Sequence, residues 1–269
     1  MTYETYFVDA FADRMGSGNP AAVVFVDRED EGSDTGIYQR IASEMGKSET
    51  AFVFRRDGGY SIRWFAPNKE MPLCGHATLA AAKVLFENEP ALGSIAFAYR
   101  GGIIDVERGE GGAISMAFPL DTYTRIPIES VYREFFGIGE FADCIRGGRT
   151  GKVVLVVDPS LDLTAIKPDF RKMKSCSGVY SLGIGISKRA TERDFETRYF
   201  NPWAGVDEDP VTGSVHTLLA RYWRDILGKD ELVALQNSQR PGTLSLSVRG
   251  DGVIVSGQGC VVLRGRVFV

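Results

Sequence analysis

The sequence predicts an α+β fold made of two similar halves, each with long antiparallel strands and a buried helix. Three observations lead to this prediction: strand-like runs dominate the 269-residue chain, two apolar helices recur about half a chain apart, and the residues before those helices repeat. This length suits one large domain or two of ordinary size. We expect one half in residues 1–118 and the other in residues 119–269, with the last strand able to join either half.

Twelve runs have the composition of strands, because they are rich in Val, Ile, Phe and Tyr and are bounded by Gly, Asp or Asn. In the first half they are residues 21–26, 50–55, 60–65, 94–100, 102–107 and 113–118. In the second half they are residues 152–157, 178–187, 195–200, 244–249, 252–256 and 261–269.

Three segments have helical periodicity. Residues 36–45 place Ile37, Ile41 and Met45 on one face, and Gly46 follows as a C-terminal stop. Residues 77–88 and residues 215–227 each carry large or small apolar side chains at positions i, i+3, i+4, i+7 and i+8. Because residues 77–88 are almost entirely apolar, we expect that helix to be buried on most sides.

The residues before the two apolar helices form an internal repeat. The first copy reads Arg-Trp-Phe-Ala-Pro from position 63 and Pro-Leu-Cys-Gly from position 72. The second reads Arg-Tyr-Phe-Asn-Pro from position 198 and Pro-Val-Thr-Gly from position 210. Proline and glycine alone could simply mark strand-to-helix turns, but that reading does not explain the shared Arg and Phe. The repeat therefore indicates duplicated halves.

Gly75 and Gly213 each open one of the repeated helices. Glycine allows a ligand to approach the backbone closely, and the first N–H groups of a helix have no partner within it. Two such N-termini in a cleft between the halves would bind an anion such as a substrate carboxylate.

Groups suited to proton transfer concentrate at these helix starts. Glu49 is a further candidate, because it directly precedes an apolar strand, where burial would shift its pKa; the alternative is an exposed loop acid. General acid/base catalysis needs such groups within hydrogen-bonding reach of the substrate. The helix-opening segments contain Cys74, His76, Asp209, Thr212, Ser214 and His216.

Composition and motifs exclude several classes of function. The chain is 44% hydrophobic and 25% charged with a net charge of −4, which is typical of a globular protein and gives no reason to expect nucleic acid. It has no apolar run of membrane-spanning length and no signal-peptide pattern, so we expect a cytoplasmic protein without a membrane partner. Nucleotide-binding, nucleophile-elbow and metal-binding motifs are absent, and we expect neither cofactor nor metal.

Four motifs together resemble the phenazine-biosynthesis (PhzF-like) family. They are Ser-Gly-Asn-Pro-Ala-Ala-Val from position 17, Ser-Glu-Thr-Ala-Phe-Val from position 48, Cys-Gly-His-Ala-Thr from position 74 and Asp-Pro-Val-Thr-Gly-Ser from position 209. The resemblance implies the diaminopimelate-epimerase-like fold, in which two pseudo-symmetric halves, each a curled sheet around a central helix, enclose the active site. It also implies a homodimer.

The resemblance further implies a cofactor-independent isomerase that acts on a small carboxylate substrate. The family's proton shuttle falls on Glu49, and its assisting residues fall on His76 and Asp209. The groups that hold the substrate carboxylate fall on Gly75, Gly213 and Ser214, and Asn19 and Thr212 are further candidates for substrate binding.

Cys74 departs from the pattern of the phenazine enzyme, in which the resemblance implies a glycine at that position. Epimerases of this fold use two cysteines, whereas here Thr212 stands at the second position, which makes a two-thiol racemase an unsuitable model. Cys74 could be a second acid/base group or only a family variant. Two alternatives therefore stay open: an amino-acid epimerase that pairs Cys74 with Glu49 or Asp209, and a small-molecule-binding protein without catalysis.

Overall fold

A computed structural model describes residues 1–26, 35–176 and 182–269. The described chain divides into two compact units, Met1–Ala117 with Ser256–Val269, and Phe118–Val255. Both units combine a sheet with helices, so the predicted α+β class is confirmed.

The secondary structure consists mainly of strands. The helices are α1 (Thr35–Met45), α2 (Gly75–Asn88), α3 (Ser130–Phe136), α4 (Phe170–Ser175) and α5 (Gly213–Leu227). The first strands are β1 (Thr2–Ala10), β2 (Asn19–Val26), β3 (Thr50–Arg56), β4 (Gly59–Ala66), β5 (Lys69–Met71), β6 (Ser94–Tyr99), β7 (Gly102–Arg108), β8 (Ile114–Pro119) and β9 (Tyr123–Arg125). The remaining strands are β10 (Asp143–Gly147), β11 (Val153–Val156), β12 (Ile184–Arg189), β13 (Phe195–Asn201), β14 (Val206–Glu208), β15 (Glu231–Gln236), β16 (Gly242–Arg249), β17 (Gly252–Gly257) and β18 (Gly259–Phe268).

In the first unit, β1 lies between β18 and β2, antiparallel to both. β2 runs parallel to β3, and β3 is antiparallel to β4. β4 pairs with β5 in antiparallel fashion and with β6 in parallel fashion, and β6, β7 and β8 follow as antiparallel neighbours. The last strand of the chain thus belongs to the sheet of the first unit.

The second unit repeats this order of pairings. β10 is antiparallel to β11, β11 is parallel to β12, and β12 is antiparallel to β13. β13 pairs with β14 in antiparallel fashion and with β15 in parallel fashion, and β15 is antiparallel to β16. The helices also correspond, since α1 and α4 precede the parallel partner strand, and α2 and α5 follow the short strand. The internal repeat predicted from the sequence is therefore a repeat of structure.

The repeated Arg-x-Phe motif forms the same ion pair in both units. Arg63 binds Glu70 through two hydrogen bonds of 2.8 and 2.9 Å, and Arg198 binds Glu208 through two of 2.7 and 2.9 Å. Each arginine also lies over the phenylalanine two positions later, Phe65 or Phe200. The pairs fasten β5 to β4 and β14 to β13, immediately before the segments that lead to α2 and α5.

The helices α2 and α5 are the buried helices of the two units. Ten of the 14 residues of α2 are buried, including Ala77, Ala80 and Ala81, and the helix packs against β1, β2, β3, β7 and β18. The small side chains allow this close packing. Gly259 contributes as well, because a Cβ there would lie 3.1 Å from Lys83 Cγ of α2. The prediction that the first helix is buried on most sides is therefore correct.

The predicted helices agree with α1, α2 and α5 to within two residues. Most predicted strands agree as well; the run at residues 178–187 covers the first four residues of β12 but begins too early, and its residues 178–181 lie outside the described part of the chain. The sequence analysis missed β1, β5, β9, β10, β14 and β15. Among the described residues, no helix is long and apolar enough to cross a membrane.

Candidate active site

Glu49 lies at the entrance of β3, where its backbone oxygen accepts a hydrogen bond from the Ala22 amide of β2. The parallel pairing of β2 and β3 thus fixes the position of this residue. Its side chain is only 18% exposed, and burial raises the pKa of the carboxyl above its usual value. The hydrogen bond from Ser48 and the charge of Lys69 act in the opposite direction on that pKa.

His76, the second residue of α2, places its imidazole between two acid/base groups. Its Nε2 lies 3.3 Å from Glu49 Oε2 and 3.3 Å from Ser48 Oγ. Its Nδ1 lies 3.5 Å from Cys74 Sγ and 3.3 Å from Asn19 Nδ2. When the Asn19 amide donates to Nδ1, the imidazole proton lies on Nε2 and points toward Glu49.

Asn19 begins β2 and is fully buried. The preceding Gly18 has a φ of +65°, and a Cβ there would lie 2.2 Å from the Ala10 carbonyl oxygen. Only glycine fits that position. The Gly-Asn sequence of the first motif is thus required to bring the chain close to β1 and to place Asn19 beside His76.

Cys74 is the N-cap residue of α2 and has an extended backbone. The Thr78 hydroxyl donates to the Cys74 carbonyl oxygen at 2.6 Å, and the Thr78 amide donates to the same oxygen at 3.1 Å. Cys74 has no side-chain capping bond to the helix. Its buried thiol is instead directed at His76, beside the first amides of the helix that begins at Gly75.

In the second unit, Asp209 and Thr212 form the turn that leads into α5. Thr212 is the N-cap residue of that helix, and its hydroxyl donates to Asp209 Oδ2 at 2.6 Å. Gly213, the first residue of α5, has no heavy atom within 4 Å of the place where a Cβ would lie. Ser214 is exposed. The start of α5 therefore has open space beside Gly213.

Gln236, at the end of β15, holds this turn and is fully buried. Its Nε2 donates to the Asp209 carbonyl oxygen at 2.7 Å, and its Oε1 accepts from the Thr212 amide at 2.8 Å. Nε2 also lies 3.3 Å from Thr212 Oγ1. The Gln236 side chain thus hydrogen-bonds to the Asp209 carbonyl oxygen and the Thr212 amide, while the Thr212 hydroxyl donates its proton to Asp209.

His216 lies beneath the turn rather than in an open site. It is fully buried, and burial lowers the pKa of its imidazole to about 4. Nδ1 lies 2.8 Å from the Thr212 carbonyl oxygen, to which the neutral ring donates, and the ring stacks on Phe195. His216 is therefore a structural residue of the second unit.

A lysine that the sequence analysis did not consider lies near the same turn. Lys152 Nζ is 2.5 Å from the Tyr199 hydroxyl and 3.3 Å from the Leu182 carbonyl oxygen. Burial lowers the pKa of Lys152 to about 8, although the negative charge of Asp209 acts in the opposite direction. The Asp209 amide in turn donates to the Tyr199 carbonyl oxygen at 3.0 Å.

The structure brings Glu49, Cys74 and His76 together with Asn19 in the first unit, next to Gly75. It places Asp209, Thr212, Gly213 and Ser214 around the start of α5 in the second unit. Sequence reasoning missed the contributions of Ser48, Lys152 and Gln236. Glu49, Cys74 and His76 each present one atom suited to a metal, and these three atoms lie within 4.8 Å of one another.

Comparison with known proteins agrees with these motifs. The family model described as phenazine biosynthesis-like protein matches residues 8–265. An uncharacterized isomerase of Pseudomonas aeruginosa is 41% identical over 100% of both chains. The human phenazine biosynthesis-like domain-containing protein is 34% identical over 99% of both chains.

Solved structures show the same fold. The crystal structure of a PhzF-family phenazine biosynthesis protein from Enterococcus faecalis superposes with a TM-score of 0.92 at 34% identity over 100% of both chains. A hydroxyproline epimerase from Agrobacterium vitis shares the fold alone, with a TM-score of 0.61 at 11% identity over 99% of this chain and 92% of its own. With matched motifs, a repeated unit and full-length similarity, the chain belongs to the phenazine biosynthesis-like (PhzF) protein family.

Proposed function

We propose that this protein is a cofactor-independent isomerase in which Glu49 removes a proton from a small carboxylate substrate and returns it at another position. An isomerase-type function is supported by the family and by similar proteins that are named isomerases. The observation that carries the proposal is the largely buried Glu49 carboxylate, 3.3 Å from the imidazole of His76 at the start of α2.

Each neighbouring residue has a role in this proposal. The Nε2 proton of His76 orients the Glu49 carboxylate and stabilises negative charge that develops on the substrate. Asn19 fixes the imidazole tautomer through Nδ1. The backbone amides that follow Cys74 and Thr212, at Gly75 and Gly213, bind the substrate carboxylate because helix N-termini favour anions. Ser214 adds a hydroxyl donor, and Asp209 assists proton transfer.

Solvent deuterium exchange tests the role of Glu49. Wild-type protein and Glu49→Gln would be incubated in heavy water with small carboxylates, including a dihydro-hydroxyanthranilate and common amino acids, and followed by NMR. We expect turnover by the wild type and a loss of about 100- to 10,000-fold in Glu49→Gln, the usual contribution of a general base. Glu44→Gln is the matched control, because Glu44 is exposed on α1. Undiminished turnover by Glu49→Gln would refute the proposal.

A second candidate is an amino-acid epimerase in which Cys74 is one base and Glu49 the other. The specific observation in its favour is the buried Cys74 thiol 3.5 Å from His76 Nδ1, since an imidazole can take the thiol proton and generate a thiolate. Asp209 is the alternative partner of Cys74 in this mechanism.

The position of deuterium separates the two candidates. Epimerisation exchanges the α-hydrogen of an amino acid and inverts its configuration, whereas an internal proton shift moves a double bond. Cys74→Ser should abolish the first reaction but reduce the second by no more than about 10-fold, because the thiol then has no part in proton transfer. If no carboxylate in the panel reacts, the result favours the third hypothesis, a small-molecule-binding protein without catalysis.

The family resemblance also leads us to propose a cytoplasmic homodimer. Sedimentation equilibrium of the purified protein would test the dimer, and a single species with the 29.5 kDa mass of one chain would contradict it.

A further inference from the structure

We propose that Glu49, Cys74 and His76 form a binding site for one zinc ion, and that zinc and substrate turnover exclude each other at this site. Sequence reasoning gave no reason to expect a metal, because the spacing Cys-x-His with a distant Glu matches no common zinc motif. The folded chain nevertheless brings one thiol, one imidazole and one carboxylate together, all three within 4.8 Å.

The imidazole and the carboxylate already have the separation of two ligands in a tetrahedral zinc site. Zinc bonds of about 2.0 to 2.3 Å to N, O and S place neighbouring ligand atoms roughly 3.3 to 3.6 Å apart. His76 Nε2 lies 3.3 Å from Glu49 Oε2 and 4.0 Å from Cys74 Sγ. The thiol lies nearer to Nδ1, at 3.5 Å, so zinc on Nε2 requires the Cys74 side chain to rotate toward that nitrogen, whereas Glu49 needs little movement.

The second nitrogen of His76 lies beside a side-chain amide that can supply the acceptor it would need. A metal on Nε2 leaves the proton on Nδ1, and that proton needs an acceptor outside the ligand set. The Asn19 amide lies 3.3 Å from Nδ1, and half a turn about its last bond presents Oδ1 in place of Nδ2. Asn19 is fully buried, so either orientation of its amide keeps the contact with Nδ1 away from solvent.

The type of ligands favours zinc over the hard cations. A thiolate and an imidazole are preferred by Zn²⁺, whereas Mg²⁺ and Ca²⁺ prefer an all-oxygen shell. Three protein ligands leave a fourth position for water. Ser48 Oγ, now 3.3 Å from Nε2, would have to give up that contact to the metal.

Zinc at this site would occupy the groups that the proposed reaction needs. A Glu49 oxygen bound to zinc cannot accept a substrate proton, and zinc on Nε2 displaces the imidazole proton that points toward Glu49. The consequence for turnover rests on the proposed function, but the binding of zinc does not.

Cobalt titration of the reduced, full-length protein tests the site directly. We expect Co²⁺ to produce a thiolate-to-cobalt charge-transfer band that saturates at one equivalent, and Zn²⁺, but not Mg²⁺, to remove it. The band should disappear in Cys74→Ser and persist in Cys260→Ser, the matched control for another free cysteine of the same unit. A wild-type protein without the band, or a band that persists in Cys74→Ser, would overturn the proposal.

A second variant guards against a loss of folding in Cys74→Ser. Glu49→Gln retains the shape of the side chain, and we expect it to weaken zinc binding by at least about 10-fold in competition with a chelator, the smallest loss usually seen when even an outer-shell partner of a metal site is removed. Unchanged zinc affinity in Glu49→Gln would exclude this carboxylate as a ligand and overturn the three-residue site.

Failures of the two proposals are distinguishable. Metal-free protein that binds Co²⁺ through Cys74 but turns over no carboxylate would contradict the proposed function and leave the zinc site intact. Turnover that is insensitive to Zn²⁺, in a protein without the cobalt band, would contradict the zinc site and leave the proposed function intact.

Discussion

Replacing His216 by Gln tests how far one buried imidazole controls the stability of the second unit. The ring is fully buried, stacks on Phe195 and is bonded to the Thr212 carbonyl oxygen through Nδ1. Glutamine can still donate to that carbonyl oxygen but does not titrate. The substitution therefore removes the proton equilibrium while it preserves the hydrogen bond.

The direction in which pH changes the stability follows from the lowered pKa of His216. Burial lowers the pKa of His216 from 6.5 to about 4, so below pH 6.5 the unfolded chain binds a proton that the folded protein does not. Stability is fully present above pH 6.5 and is lost as the pH falls toward 4. Over the interval from pH 7 to pH 5, this one group should cost about 2 kcal/mol of the free energy of unfolding.

Urea denaturation at pH 7 and pH 5 measures this loss, with tryptophan fluorescence as the signal, to which Trp223 contributes through its stacking on Phe195. All other titrating groups remain in both proteins and cancel in the comparison. We expect the loss between the two pH values to be about 2 kcal/mol smaller in His216→Gln than in the wild type. Equal losses in the two proteins would show that His216 does not carry this pH dependence.

Three further substitutions or labels have defined expected outcomes. Gly213→Ala should leave the free energy of unfolding unchanged within about 1 kcal/mol, because the added Cβ meets no atom. The same substitution should weaken the binding of a carboxylate substrate, measured by calorimetry. Unchanged affinity would show that the start of α5 does not bind the substrate. Arg198→Ala should lower the free energy of unfolding by about 3–5 kcal/mol, because it leaves Glu208, which is only 13% exposed, without its ion-pair partner. Arg63→Ala should cost clearly less, because its partner Glu70 is 31% exposed. Equal costs would contradict the idea that burial of the carboxylate sets the cost. Reductive ¹³C-methylation should give one lysine NMR signal that titrates near pH 8 and is missing in Lys152→Arg; a signal near the usual pKa would refute the effect of burial.

The sequence predicted the repeat and both central helices because these depend on local information. The periodicity of α2 and α5 and the Arg-x-Phe-x-Pro motif are present in consecutive residues. In contrast, β1 was missed because Glu4 and Asp9 interrupt its apolar residues, although Asp9 is only 2% exposed within the strand. Asp9 Oδ2 accepts a hydrogen bond from the Gly16 amide, a contact that its place in the sequence does not reveal.

The sequence motifs predicted the residues of the candidate site, but they did not predict the contacts that hold those residues in place. Glu49 and His76 lie 27 positions apart and meet because β3 and the start of α2 lie side by side. Gln236 lies 24 positions after Thr212 and is the last residue of an ordinary alternating strand, so nothing in the adjacent sequence indicates that it binds Asp209 and Thr212. Its signal would be a polar residue at a strand position where alternation predicts burial.

The residue that caps each buried helix differs between the two copies of the repeat, and the two side chains are suited to different roles. In the first copy the N-cap side chain is the Cys74 thiol, which contacts an imidazole that also contacts Glu49. In the second copy it is the Thr212 hydroxyl, which donates its proton to Asp209 and is held by Gln236. A thiol, an imidazole and a buried carboxylate in contact can exchange protons, whereas a hydroxyl fixed between a carboxylate and an amide can only position its neighbours. We therefore expect substitutions at Glu49 to lower kcat, and those at Cys74 to do so strongly only if the reaction is an epimerisation. Substitutions at Thr212 and Gln236 should affect KM first.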